Sequence, residues 1–268
     1  MEVVCPPEFT DILIAELAEA GFDMFMETAS GFEADGEESS VSTEWIEQVK
    51  SKYDHLQPLV FKISSVEKEN WNELWEKNVT PIVVEDQCIV HAEFHTPDKE
   101  YPYDIIITPK MSFGTGHHPT TYLMLKSQLS IDHTGKRVMD AGCGTAILSI
   151  MASKRGATEI EAFDIDEWSI ENGVENARLN HCTNIHIRRG TIADFTWANP
   201  FDIILANINR NILLREMKHY AASLVAKGIL QLSGFYVKDI PDLVKEAEQH
   251  GLGYLEQDER EQWATLRL

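Results

Sequence analysis

A glycine turn at Gly142 and Gly144 joins the apolar run "RVMDAG" to the helical segment "AILSIMASKRG". Glycine lets a ligand approach the backbone closely, and a helix start offers unpaired N–H groups. Asp140 closes the strand, and its carboxylate suits a cationic ligand better than a pyrophosphate. The dinucleotide fingerprint expects its third small residue at 147, where this chain has Ile147. The turn thus favours S-adenosylmethionine, which has a sulfonium and an ammonium but no phosphate, over NAD; a plain strand-to-helix turn is the other interpretation.

Two aspartates follow the next apolar run, "EIEAFDID". Asp164 ends the predicted strand, where a carboxylate can accept both hydroxyls of a ribose. Charge-assisted bonds of this kind contribute roughly 1.5–3 kcal/mol each before desolvation is counted. Asp166 is more simply the N-cap of the following helix. We therefore predict Asp164 as the ribose ligand, although this feature alone does not separate a nicotinamide cofactor from S-adenosylmethionine.

An asparagine-rich stretch, "FDIILANINRNIL", carries the next candidate. Asn207 ends a predicted strand and offers two donors and an acceptor toward the same crevice. The local alternative is that Asn207, Asn209 or Asn211 caps the helix that begins near Ile212. Enzymes that methylate amide or exocyclic base nitrogens commonly show Asn/Asp-Pro-Pro-aromatic here, and this chain does not. Adenine and glutamine side chains are therefore disfavoured as acceptors.

The stretch "MSFGTGHHPTT" lies about twenty residues before the glycine turn. Gly114 and Gly116 permit a tight loop, and Pro119 suits the first turn of a helix. We interpret the stretch as a lid over the cofactor. His117 and His118 are adjacent and lack further ligands at metal-site spacing, so we expect no metal.

The order of elements that must position these residues indicates an α/β protein. From Thr120 onward, strands and helices alternate, which predicts a Rossmann-like parallel sheet covered on both faces, with ligands at the carboxyl ends of its strands. The earlier segment reads β-α-β-β-α-β, a ferredoxin-like pattern. We predict a ferredoxin-like domain at 1–66, a linker helix at 67–80 and the cofactor-binding domain at 81–268.

The charge of the chain limits its partners. The net charge is −21, and thirteen Asp or Glu but no Lys or Arg precede Lys50. Such a surface repels nucleic acid, so we expect no stable nucleic-acid binding. It either maintains solubility or attracts a basic protein. The four scattered cysteines fit a reducing cytoplasm, and we expect a monomer with no membrane span.

The motifs "MSFGTGHHPTT", "DAGCGTAILSI", "FDIDEWSIENGVENARLN" and "ILANI" together resemble those of the ribosomal protein L11 methyltransferase (PrmA) family. The resemblance covers the sequence from about Trp71 to the end. Before Trp71, the match is mainly in the layout of the N-terminal domain. It implies a class I methyltransferase domain and an N-terminal domain that recognises the substrate. Ala146 departs from a frequent glycine, and Asn209 from a usual leucine. The implied contacts of S-adenosylmethionine are Thr121, Gly142, Asp164 and Asn207, with Gly144 shaping the loop and Phe113, Gly114 and Thr115 closing over the cofactor.

The reaction implied by the resemblance is methylation of amino groups, on lysines and the N-terminal amine, of a basic large-subunit ribosomal protein. We expect Asn207 to orient the cofactor or the amine, with neither a dedicated nucleophile nor a metal. A class I methyltransferase acting on RNA, a small molecule or another protein is the alternative. An NAD-dependent oxidoreductase is a more distant alternative, because of Ile147 and Asp140.

Overall fold

The computed structural model describes residues 1–6, 9–22, 24–28, 30–36, 40–53, 59–63, 80–108 and 117–268. Contacts divide the chain into two units, Met1–Trp75 and Glu76–Leu268, which are considered separately below. The predicted linker helix at 67–80 lies outside the described residues except for Thr80.

The described residues of the first unit form six elements in the order β-α-β-β-α-β. Its sheet has the order β2-β3-β1-β4, and every neighbouring pair is antiparallel. A ferredoxin-like domain at 1–66 stays a prediction. The elements are β1 (Glu2–Val4), α1 (Thr10–Glu19), β2 (Met24–Thr28), β3 (Gly31–Asp35), α2 (Thr43–Tyr53) and β4 (Val60–Lys62).

Both helices of this unit bury one face against its sheet. Leu13 and Leu17 of α1 are buried with Phe32 of β3, as helical spacing predicts. Ile12 precedes Leu13 in the sequence, yet it is 45% exposed. Because successive residues are about 100° apart on a helix, Ile12 falls beside the buried stripe rather than within it. The oxygen Oγ of Ser42 accepts a hydrogen bond from the N–H of Trp45 at 3.3 Å, a capping contact at the start of α2.

The second unit is built on a seven-stranded sheet with the order β10-β9-β8-β11-β12-β14-β13. Strands β8 to β12 pair in parallel. An α-helix follows β8, β9 and β11, and a short 3-10 helix follows β10. Alternating residues of β8 and β11 enter different hydrophobic clusters, Met139 and Ile204 on one side, Val138 and Ile203 on the other. The sheet is thus covered on both faces, as predicted. The elements are α3 (Pro119–Leu129), β8 (Arg137–Ala141), α4 (Ile147–Lys154), β9 (Glu159–Asp164), α5 (Glu167–Leu179), β10 (Ile185–Arg189), β11 (Phe201–Asn207), α6 (Arg210–Ser223), β12 (Leu224–Tyr236) and α7 (Ile240–Gln249).

The sequence analysis missed a hairpin at the end of this unit. Strands β13 (Glu256–Arg260) and β14 (Trp263–Arg267) follow α7, and β14 runs antiparallel to β12. The sheet is therefore mostly rather than wholly parallel. Strand β13 reads "EQDER", which shows no apolar alternation because it is an edge strand with charged side chains.

A smaller sheet precedes α3 in the second unit. Its order is β5-β6-β7, with β5 and β6 antiparallel and β6 and β7 parallel. The strands are β5 (Ile82–Val84), β6 (Cys88–His91) and β7 (Tyr103–Ile106).

All four cysteines of the chain fall within the described ranges, and all are free. In the described part of the chain, no helix has the length and apolar character needed to span a membrane.

Candidate active site

A cavity of about 530 Å³ lies at the carboxyl ends of the parallel strands in the second unit. The chain passes from β8 outward to β9 and β10, then returns to place β11 on the other side of β8. Ligands of open α/β sheets bind where the strand order reverses in this way. The residues lining the cavity come from β12, β14, the ends of β9, β10 and β11, the glycine loop, and the start or body of the helices α3, α5 and α6.

The glycine loop requires its first glycine for two reasons. Gly142 has a φ of +70°, a left-handed conformation that favours glycine. A Cβ atom placed on Gly142 would lie 2.2 Å from Cγ2 of Ile208, which follows β11. The backbone of the loop is therefore pressed against the neighbouring strand end, and both residues line the cavity. Ala146, the departure from glycine noted in the sequence, adopts a φ of +61° at the start of α4.

Asp164 and Asp166 have different local roles, and Asp166 is the N-cap that the sequence predicts. The oxygen Oδ2 of Asp164 accepts a hydrogen bond from the N–H of Gly144 at 3.0 Å, and Oδ1 accepts one from the N–H of Asp166 at 3.1 Å. Asp166 caps α5, because its Oδ1 accepts from the N–H of Trp168 at 3.0 Å. Both carboxylates line the cavity. Asp164 as the ribose ligand stays a prediction.

Asn207 lies on the cavity wall and is not the residue that caps α6. The cap of α6 is Asn209, whose Oδ1 accepts from the N–H of Asn211 at 2.9 Å. Asn207 is only 9% exposed, and its Oδ1 is buried without a hydrogen-bond partner among the described residues. A buried acceptor in this state is costly unless a ligand completes it.

Two predicted contact residues lie behind the cavity rather than on its wall. Asp140 is fully buried, and its Oδ2 accepts from the N–H and the hydroxyl of Ser149 at 3.1 and 2.6 Å. Burial raises the pKa of Asp140 to about 6. Thr121 is also fully buried, and its neighbour Thr120 lines the cavity instead. Neither residue is among those that line the cavity, and direct contact with a cofactor stays a prediction for both.

Phe113, Gly114 and Thr115 lie outside the described residues. The lid formed by that stretch therefore stays a prediction.

In the described part of the chain, no group of three or more His, Cys, Asp or Glu side chains could hold a metal ion.

Several cavity residues were missed by sequence reasoning. The ring of Trp263 meets that of His118 edge to face, with centroids 4.6 Å apart, and both line the cavity. Burial lowers the pKa of His118 from its usual value, although Glu261 opposes the shift. Trp263 follows the unpredicted turn between β13 and β14, so no local signal pointed to it.

A carboxylate on α6 was also missed. Glu216 lines the cavity although it is only 8% exposed, and its Oε2 accepts from the hydroxyl of Tyr220 at 2.7 Å. Its position four residues after Ile212, another lining residue, is the helical spacing that could have indicated it. Together with Asp164 and Asp166 it gives the cavity an acidic wall, which suits a cationic ligand and disfavours phosphates.

Comparison with known proteins gives one consistent family. The family model "Ribosomal protein L11 methyltransferase (PrmA)" matches residues 19–268. A ribosomal protein L11 methyltransferase from Porphyromonas gingivalis (strain ATCC BAA-308 / W83) is 45% identical over 263 residues, covering 96% of this chain and 90% of the relative. Another, from Bacteroides fragilis (strain YCH46), is 41% identical over 266 residues, covering 98% and 95%.

Solved structures agree with this family and with the predicted α/β fold class. The crystal structure of ribosomal protein L11 methylase from Lactobacillus delbrueckii subsp. bulgaricus matches with a TM-score of 0.65 and 25% identity, covering 70% of this chain and 97% of that one. A methyltransferase from Pyrococcus furiosus matches with a TM-score of 0.52 and 17% identity, covering 61% and 87%, which shows the fold alone. The predicted Rossmann-like methyltransferase fold of the second unit is confirmed.

Proposed function

The chain belongs to the ribosomal protein L11 methyltransferase family, and on this premise we propose that it methylates amino groups of ribosomal protein L11. The acceptors are lysine side chains, with the N-terminal amine as a further candidate. The observation that carries the proposal is the acidic cavity at the switch point of the sheet. It lies in a chain that covers 95% of its Bacteroides fragilis relative, a ribosomal protein L11 methyltransferase.

The methyl donor is S-adenosylmethionine, and the residues present fit it. This donor supplies a methyl group on a cationic sulfonium, which leaves as a neutral thioether when an amine takes the methyl. Asp164 and Glu216 put carboxylates on the cavity wall. The unpartnered Oδ1 of Asn207 offers an acceptor for an ammonium or hydroxyl donor.

Each residue of the site has a distinct task in this proposal. Asp164 accepts the ribose hydroxyls, and the N–H of Gly144 holds its carboxylate in place. Gly142 keeps the loop backbone open to the donor. Asn207 orients the donor or the incoming amine. Thr121 and the Phe113 to Thr115 stretch stay predicted contacts from the family resemblance.

The acceptor amine must be neutral before its lone pair can form the new C–N bond. A lysine with a pKa near 10.4 is unprotonated only about once in 10³ at pH 7. Burial beside a cation lowers that pKa and raises the neutral fraction. The C–S bond breaks as the C–N bond forms, and the methylated ammonium loses its proton to solvent. The protein then mainly aligns the reactants and excludes water, so we assign no dedicated base.

The acidic first unit supplies a reason for a basic protein substrate. Thirteen acidic and no basic residues precede Lys50, and ion pairs such as Lys50–Glu47 at 2.8 Å neutralise only part of that charge. We assign substrate recognition to a domain at 1–66, joined by a linker at 67–80 to the methyltransferase domain at 81–268. The same charge disfavours the alternative of an RNA acceptor. A cytoplasmic location and a monomeric state stay predictions.

The test is transfer of label from S-adenosylmethionine in a ribosomal extract and to purified L11. Label in the L11 band, mapped to amino groups by mass spectrometry, supports the proposal. The variant Asp164→Ala is the matched control and should transfer little label. Label that resists protease and yields to ribonuclease would establish the RNA alternative instead. Calorimetry with S-adenosylmethionine and with NAD separates either methyltransferase from an oxidoreductase.

A further inference from the structure

Three asparagines recur every four residues, Asn172 and Asn176 within α5 and Asn180 at its C-cap. All three are buried. A buried amide is costly unless its donors and acceptor find partners. The partners of these side chains therefore show what this face of the helix holds in place.

Asn176 joins two backbone segments that are far apart in the sequence. Its Oδ1 accepts from the N–H of Thr108 at 2.8 Å, and its Nδ2 donates to the carbonyl of Thr145 at 3.0 Å and to Oδ1 of Asn172 at 3.3 Å. Thr145 belongs to the glycine loop of the cavity. Thr108 is the last described residue before the stretch that contains Phe113.

Asn180 makes an equivalent set of bonds without reaching the loop. Its Oδ1 accepts from the N–H of Ile106 at 2.9 Å. Its Nδ2 donates to the carbonyl of Ile106 at 2.6 Å and to that of Asn176 at 2.9 Å. Asn180 thus ties the end of β7 to α5, and its partners do not belong to the cavity.

The loop and α5 are also in close contact next to Asn176. A Cβ atom on Gly173 would lie 3.3 Å from both the Cβ of Ala146 and the carbonyl oxygen of Gly144. The loop is therefore held from two sides. The carboxylate of Asp164 accepts a hydrogen bond from the N–H of Gly144. The amide Nδ2 of Asn176 donates one to the carbonyl of Thr145, the next residue along the chain.

We propose that Asn176 is a positioning residue for donor binding, which locks the glycine loop to the backbone at Thr108. It does not touch the donor in this proposal; it fixes the carbonyl side of the loop so that the loop N–H groups keep their orientation. Binding at the loop then also stabilises the backbone that leads into the Phe113 to Thr115 stretch. The inference rests on the proposed function for the identity of the donor.

The chain offers a matched pair of variants, Asn176→Ala and Asn180→Ala. Asn176 lies within α5 and Asn180 is its C-cap, and each variant removes three hydrogen bonds of a buried amide. We expect both to lower the melting temperature by similar amounts. Only Asn176→Ala should weaken the binding of S-adenosylhomocysteine, by about tenfold in Kd measured by calorimetry, which corresponds to about 1.4 kcal/mol. Equal changes of Kd in the two variants, or no change in either, would overturn the inference.

Amide hydrogen exchange on the unmodified chain provides a second test that needs no folded variant. S-adenosylhomocysteine should slow exchange at the loop amide of Ala146 and at that of Thr108, more than at that of Ile106. Protection of the loop with unchanged exchange at Thr108 would overturn the inference alone. Absence of binding to the unmodified chain would overturn the proposed function and the inference together.

Discussion

The N–H of Gly144 donates a hydrogen bond to Oδ2 of Asp164 at 3.0 Å, and so joins the glycine loop to the end of β9. The other oxygen of that carboxylate is held by the N–H of Asp166. Two backbone donors therefore orient a charged acceptor on the cavity wall without help from a ligand. Preorganisation of this kind lowers the ordering cost of binding.

Replacing Asp164 by alanine should weaken donor binding. Charge-assisted hydrogen bonds contribute roughly 1.5–3 kcal/mol, so we expect Kd for S-adenosylmethionine to rise roughly 10- to 100-fold in calorimetry. Asp166→Ala is the control, because loss of the cap should cost about 1 kcal/mol of stability with a smaller effect on Kd. A larger rise of Kd in Asp166→Ala would reverse the two assigned roles.

Replacing Gly142 by alanine should damage both stability and the site. The new methyl group meets Cγ2 of Ile208 at 2.2 Å, in addition to the roughly 1–2 kcal/mol cost of a left-handed alanine. Gly135→Ala is the matched control, because Gly135 has a φ of +72° and no atom within 4 Å of the added Cβ. Urea unfolding should show a loss of roughly 1–2 kcal/mol for Gly135→Ala and a clearly larger loss for Gly142→Ala.

Adding Ile208→Ala to the Gly142 variant tests the steric part of that cost. The next atom of Ile208 is its Cβ, at an ordinary 3.7 Å from the added methyl. The double variant should therefore lose less stability than the sum of the two single changes. Simple additivity in the unfolding data would show that the clash is not the cause.

Replacing Asn207 by alanine should impair function more than stability. The buried Oδ1 has no partner in the described chain, so its removal takes away an unsatisfied acceptor and costs little in the ligand-free protein. We expect a melting temperature within a few degrees of the unmodified chain and a fall in methyl transfer of at least tenfold. Full transfer activity in this variant would remove Asn207 from the mechanism.

Replacing Asp140 by asparagine should change how stability depends on pH. Burial raises the pKa of Asp140 to about 6, above its ordinary value of 3.8, so the folded state binds the proton more tightly than the unfolded state. The stabilisation that protonation provides is complete below the unfolded pKa and is lost as the pH rises through about 6. The total loss is about 3 kcal/mol.

The free energy of unfolding can be measured with urea at several pH values for Asp140→Asn and for the unmodified chain. The value for Asp140→Asn should rise relative to that of the unmodified chain as the pH increases from 4 to 7. Burial also lowers the pKa of His133 to about 4, which makes stability fall as the pH drops in both proteins. Because the contribution of His133 is the same in both proteins, it drops out of the difference between their free energies of unfolding. A difference that stays constant with pH would contradict the buried, proton-binding state of Asp140.

Much of the fold could be predicted because its signals are local. The caps at Asp166 and Asn209 and the first-turn Pro119 depend on hydrogen bonds or dihedral angles within a few residues. The alternation of strands and helices shows in the apolar runs for the same reason. Strand β14 was missed because its pairing with β12 joins residues about thirty positions apart, and its edge partner β13 is charged.

The amino-acid sequence by itself determined the alternation of strands and helices up to α7, the caps, and the position of the glycine loop, Asp164 and Asn207 at strand ends. Tertiary structure alone decided which side chains face the cavity. Thr120 rather than Thr121 lines it, Asp140 turns toward Ser149, and Glu216 and Trp263 join the wall. The physical reason is that a side chain's direction into a cavity depends on how distant elements pack, whereas turns and caps depend on neighbours in the chain.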